Sequence, residues 1–310
     1  MSTNLTLSTG AMLDGYFPFF PTTGKVFHVN STDANARDFP SHGVSPDKPF
    51  ATIDFAVGQC RANKGDLILV GPGHAESVTA AGGLALDVAG VTVLGMGGGA
   101  NRPTVTLSGA TSATVTISAS SVTVRNLIFV TSLDAIVTAI VITGADCTLM
   151  NIETRDASAT QCVDFITTSA AANRLRISGW KHMGDDAAGA DTAITIVGGD
   201  ALLIEDFQLI GNFAVAAIEN VTTACTNAQI GGGMRPNYIW TKNAADTCIT
   251  MVATSTGRIG PNLSLMLTDN AANFAGATVG AAMQFFKPIQ IVNLAGESSG
   301  DTTITASTNA

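Results

Sequence analysis

Charge is scarce in this chain. Of its 310 residues, 13% are Asp, Glu, Lys or Arg, and no basic run is longer than a pair. Binding along a nucleic-acid backbone needs clustered Lys and Arg, so a net charge of −9 without clusters excludes nucleic acid as the main ligand. No stretch of 18 apolar residues occurs, so no membrane span is expected. The opening "MSTNLTLSTGAMLDGYFPFFP" lacks a positive segment followed by an apolar core, and no Sec-type export signal is expected. Aromatics are 6% of the chain, with two Trp and two Tyr, too few to line a polysaccharide-processing face. The five cysteines are odd in number and lack metal-type pair spacing, so they read as reduced core residues of a cytoplasm-made protein. No metal or cofactor is expected.

What is abundant is Gly (32 residues) and small branched side chains, a composition for many short strands. One stretch differs. In "SPDKPFATIDFAVGQC", Ile53, Ala56, Val57 and Cys60 fall at i, i+3, i+4 and i+7, which predicts an amphipathic helix over 49–62. A stop follows in "RANKGD", then the apolar strand "LILVGPG".

The rest repeats. Six segments align from residues 113, 138, 162, 192, 216 and 247, at intervals of 25, 24, 30, 24 and 31. Their third position reads Val115, Ile140, Asp164, Ile194, Ile218 and Ile249; their fifth reads Ile117, Ile142, Ile166, Ile196, Asn220 and Met251. A tenth column reads Val122, Cys147, Ala171, Ala201, Cys225 and Thr256. Each unit is strand, turn, strand and a loop of variable length, and two earlier units fit at "DLILVGPG" and "LALDVAGVTVLG". The expected fold is all-β: a right-handed parallel β-helix of about eight coils, with Ile columns stacked inside the tube. Asp164 and Asn220 break the columns, through a shifted register or as internal polar groups bonded to a neighbouring coil. The predicted helix caps the first coil, whose core and strand groups would otherwise be open.

Four regions follow: an extended aromatic arm (1–24), a lead-in loop with the capping helix (25–65), the β-helix (66–265), and a C-terminal cap or β segment with a polar tail (266–310).

The order "SPDKPFATIDFAV…KGDLILVGPGHAESV" resembles the N-terminal segment of the pectate-lyase-like superfamily, especially phage tailspikes and related virion β-helix proteins. The matching residues are Pro49, Phe50, Thr52, Ile53, Gly65, Asp66, Pro72 and Gly73, with His74 and Ala75 where an aromatic often stands. The resemblance covers about 45–265 and implies a fold rather than an activity, since lyases, hydrolases, spikes and inert virion proteins share it.

A hydrolase on this fold needs paired carboxylates. The candidate is "HMGDDAAG", with His182, Asp185 and Asp186, which is similar to the paired-Asp motif of polygalacturonase-type hydrolases. The motif's partners are missing, and only Arg258 and Ile259 match its Arg-Ile-Lys element. A lyase would need a calcium cluster beside a basic residue. Asp134, Glu153, Arg155, Asp156 and Asp164 group loosely for that role, with Glu153 and Arg155 read as an outward ion pair. "GMGGGANRP" follows a strand without opening a helix, so it is no phosphate loop. His28, His42, His74 and His182 fall in loops or strand ends. Tyr238 and Trp240, in an expected bulged loop, offer a glycan-stacking or subunit-contact patch.

The arm holds "GYFPFFP", whose Tyr16, Phe17, Phe19 and Phe20 are expected to contact a partner. Together these features lead us to expect a non-enzymatic virion structural protein, decorating a capsid or forming a head or tail projection and anchored through its terminal segments. It would assemble in the host cytoplasm and bind the major capsid protein or another virion protein; a homotrimer is implied by related spikes. The alternative is a tailspike-type polysaccharide depolymerase acting on host glycans.

Overall fold

The structure is a computed structural model, describing residues 22–157, 159–184, 189–242, 247–267, 275–293 and 303–306. The chain winds into a parallel β-solenoid of about eight turns, built from three sheets. The first sheet has ten strands, beginning with Val26–Val29 and Leu67–Val70 and ending with Met283–Phe285. The second runs from Leu84–Leu86 to Thr303–Ala306, and the third from Ala75–Val78 to Ile289–Asn293, nine strands each. The ladders therefore continue past residue 265: Ala275–Val279 pairs in parallel with Thr247–Thr250, and Ile289–Asn293 with Leu263–Leu267.

Each coil visits the second, first and third sheets in turn. The third strand of each coil, such as Glu153–Arg155 or Lys181–Met183, is three to five residues long, too short to show a period. The Ile columns form as expected, with one correction. Ile140 pairs with Ile166 and Ile166 with Ile194, so unit three is displaced by two residues and Asp164 points outward between Thr138 and Thr192. The alternation breaks at Phe165 and Ile166, which are both fully buried, so Asp164 and Ile166 face opposite ways although two residues apart. The tenth column also changes after Cys147. Thr148 pairs with Arg176 and Arg176 with Leu203, which places the buried Leu175 and Leu202 in that column. Ala171 and Ala201 lie in the turns before those strands, so Cys147 and Cys225 do not share a column.

Asn220 is internal and 3% exposed. Its Nδ2 donates to the carbonyls of Ile196 (2.8 Å) and Thr223 (2.9 Å), and its Oδ1 accepts from Val252 N–H (3.3 Å) and Ser255 Oγ (2.7 Å). The amide thus replaces one aliphatic layer with four bonds that tie three coils, leaving no polar atom of its side chain unpaired.

The capping helix is shorter than its periodicity suggests, Ile53–Gly58 instead of 49–62. Thr52 stops it on the N-terminal side, its Oγ1 accepting from Phe55 N–H at 3.2 Å. Phe50 is extended and bridges Val29 in parallel. At the other end, Asp66 draws the chain away by accepting Arg61 N–H (2.8 Å), the Arg61 guanidinium and Lys25 N–H (2.6 Å). Burial alone would raise the Asp66 carboxyl, but these donors prevail and hold it below the usual carboxylate range. The helix buries Ile53, Ala56 and Val57, and Phe27, Phe50 and Phe55 meet at ring separations of 5.9 and 5.0 Å to plug the tube's end. Glu76 fixes the plug, its Oε2 accepting from Ile53 N–H (2.9 Å) and from His74 Nε2 (3.1 Å), while His74 Nδ1 accepts Ser31 N–H. His74 Nδ1 is an acceptor here, so the ring proton lies on Nε2 and points at the carboxylate.

Candidate functional site

The corner between the first and third sheets is built by a column of left-handed residues. Asn126, Asn151, Gly179 and Asp206 have φ of 56°, 51°, 71° and 54°, one on each of four successive coils. Asn and Asp tolerate this region because their short polar side chains bond locally. Gly179 is required for space as well: a Cβ there would lie 2.4 Å from Asn151 Oδ1. Behind the corner, Leu127, Ile152, Trp180 and Phe207 stack inward, each at most 1% exposed.

Outside this corner lies a groove of about 370 Å³. Its walls carry Arg102, Glu153, Lys181, Asp206, Gln208 and Arg235. Glu153 sits between two guanidiniums: Oε2 accepts from Arg102 (2.9 Å) and Oε1 from Arg155 (2.7 Å). Arg102 also donates to the carbonyls of Leu127 (3.1 Å) and Asn151 (2.7 Å), clamping successive coils. Burial lowers the Arg102 pKa, and the charge of Glu153 opposes that shift. Asp206 Oδ1 accepts Arg235 N–H at 2.6 Å. Lys181, Gln208 and Tyr238 then lie in register on the third sheet's outer side.

Tyr238 and Trp240 stand in the strand Asn237–Thr241, not in a bulged loop, and alternate outward from it. Lys242 Nζ is 5.4 Å from the Trp240 ring, and Tyr238 OH reaches Gln208 Oε1 at 3.4 Å. Tyr238 thus lies beside Gln208 of the groove wall.

Of the hydrolase candidate's His-Asp-Asp group, only His182 falls among the described residues. Asp185 and Asp186 lie outside the described residues, as do Tyr16, Phe17, Phe19 and Phe20. His182 is a mid-strand residue pointing into the tube, fully buried, with Nδ1 2.9 Å from Thr154 Oγ1 and its ring between Phe165 and Phe213. Desolvation pushes its pKa down to about 3. His28 is likewise a strand residue and His74 a buried bonding partner of Glu76.

The lyase grouping separates. Glu153 and Arg155 pair, but Glu153 is buried and shared with Arg102 instead of forming a solvated surface pair; Asp134 is exposed in a turn, and Asp156 Oδ2 accepts Ala190 N–H at 2.9 Å. Asp164 is on the second sheet, where its Oδ1 accepts from Thr192 (2.8 Å) and Thr195 (2.9 Å). Among the described residues, no three His, Cys, Asp or Glu side chains are arranged to hold a metal ion. Arg258 bonds Gln229 across coils and lies 5.9 Å from the Phe286 ring.

The corner column was available in the sequence as "RNL", "MNI", "SGW" and "EDF", spaced by 25, 28 and 27 residues. The groove was not, because six separate coils supply its walls.

No protein-family model, curated protein or solved structure matches the chain. The fold and groove define its class as a parallel β-solenoid with a polar corner groove.

Proposed function

We propose that this protein is a non-enzymatic structural component of a tailed-phage virion, a capsid decoration or a head or tail projection, anchored through its terminal segments. The observation supporting this reading is the state of the groove. Its buried carboxylate, Glu153, is saturated by Arg102 and Arg155, and Arg102 is held by two backbone carbonyls as well. These groups bind coil to coil and stiffen a rod. The segment resembling tailspike proteins points the same way, and a homotrimer bound to the major capsid protein or another virion protein fits it. Mass spectrometry of purified particles from a host producing this chain tests the reading. Hundreds of copies per particle would establish decoration and a handful a projection; absence from particles would end the proposal.

A second reading is a depolymerase of host glycans, favoured by the run of Lys181, Gln208 and Tyr238 beside the groove. Incubating the protein with host surface polysaccharide and following saccharide release decides it. Release that disappears in Lys181→Ala, or in Asp185→Ala with Asp186→Ala, would replace the structural reading.

A further inference from the structure

The second sheet differs from the other two in its outer surface. Its nine strands contain no Lys and no Arg, whereas the first sheet carries Arg125, Arg176 and Arg258 and the third Arg155 and Lys181. One outward row runs in unbroken register through Ala85, Thr116, Val141, Thr167, Thr195, Glu219, Thr250 and Thr278. At the sheet's border, Val137, Val163 and Val215 are 60%, 39% and 40% exposed; the strand register sets Val137 beside Val163, and backbone bonds carry the line on through Asp191 to Val215, over four consecutive coils. An exposed aliphatic ridge on a face without Lys fits a protein contact better than a solvated face.

The face also carries charge of one sign. Asp164, Asp191 and Glu219 lie on it, and among the described residues none of the six ion pairs reaches them. Burial together with the neighbouring carboxylates raises the pKa of Asp191 and of Glu219. Across the molecule the corner groove has the opposite balance, with Arg102, Arg155, Lys181 and Arg235 against Glu153 and Asp206. One chain therefore holds an acidic, Thr-rich face edged by an aliphatic ridge, and a basic groove on a different side.

We infer that the second sheet's outer face is an interface for a second copy of this chain, docking against that copy's basic corner. This rests on the reading of the protein as an assembled structural rod and names the surface that assembles it. Contact between two different patches is heterologous, and it closes into a ring when the rotation between copies divides a full turn. Salt should weaken it, because opposite charges at the rim are screened within about 3 Å at roughly 1 M salt, against about 8 Å at physiological strength.

Sedimentation equilibrium of the full chain tests this. At about 0.15 M salt the mass should be a multiple of 31.6 kDa, falling toward one chain at about 1 M. Val137→Arg and Val163→Arg, both at exposed positions, should each reduce it to one chain with an unchanged β-type circular dichroism spectrum. Lys181→Glu on the groove should do the same, and Thr148→Arg, on the first sheet's outer side, should not. A wild-type chain that sediments at 31.6 kDa at both salt concentrations overturns the inference, as does an oligomer indifferent to the two valine substitutions. Neither result would touch the virion reading, which particle composition decides independently.

Discussion

His182 shows what a single ionisable side chain does inside this tube. It stands in the inward column between Thr154 and Leu209, with Thr154 Oγ1 also receiving Trp180 Nε1–H at 3.0 Å. The folded chain takes up the His182 proton only near pH 3, whereas an unfolded histidine takes it up near its ordinary value of 6.5. Below pH 6.5 the unfolded state binds the extra proton, so stability is complete above that pH and falls as pH drops toward 3. Across the window the loss is on the order of 4 kcal/mol from this group. Urea midpoints measured from pH 7 to pH 3.5 should slope downward, and His182→Phe should remove part of the slope. A variant whose pH profile overlays the wild type would mean that the imidazole is not sealed in the core.

The stack of aliphatic side chains is the element on which the solenoid depends. Ile194 lies between Ile166 and Ile218, and Ile142 follows Ile117 in the adjacent column; all five are at most 2% exposed. Ile142→Asp or Ile194→Asp would bury a carboxylate without the partners that Asn220 has, at a cost of several kcal/mol. Wild-type unfolding midpoints in both variants would mean that these side chains do not face inward. The columns were legible because Ile recurs with period two inside each strand and at coil-length intervals between strands. The slip at Asp164 was not, because strict alternation puts Asp164 and Ile166 on one face, whereas the alternation breaks at Phe165 and Ile166. The strand Val26–Val29 was hidden for another reason: it precedes the helix, and its pairing with Leu67–Val70 is made across 41 residues. The helix ends earlier than its periodicity, which registers Cys60 but not the pull of Asp66 on Arg61. As for the groove, Arg102 and Glu153 are 51 residues apart, and only the winding of the coil brings them together.

For the whole molecule, the described part begins where the rod is already tied. Thr22 Oγ1 bonds the carbonyl of Gly65, and Lys25 N–H bonds Asp66, so the tube's first coil is closed from residue 22 onward. Removing residues 1–21 should therefore leave circular dichroism and the unfolding midpoint close to those of the full chain, while incorporation into particles is lost. Full occupancy of particles by the truncated protein, or a midpoint lowered by many degrees, would remove the arm from its anchoring role. The direction of the ladders has a mechanical consequence. Coils repeat every 25 to 31 residues, and their backbone hydrogen bonds run from coil to coil, parallel to the rod's axis. A pull on the two ends loads these bonds one coil at a time, like a zip, so force should peel the rod in steps and not shear it at once. Each released coil of about 27 residues frees roughly 90 Å of chain at about 3.4 Å per residue, which sets the tooth spacing expected in single-molecule extension.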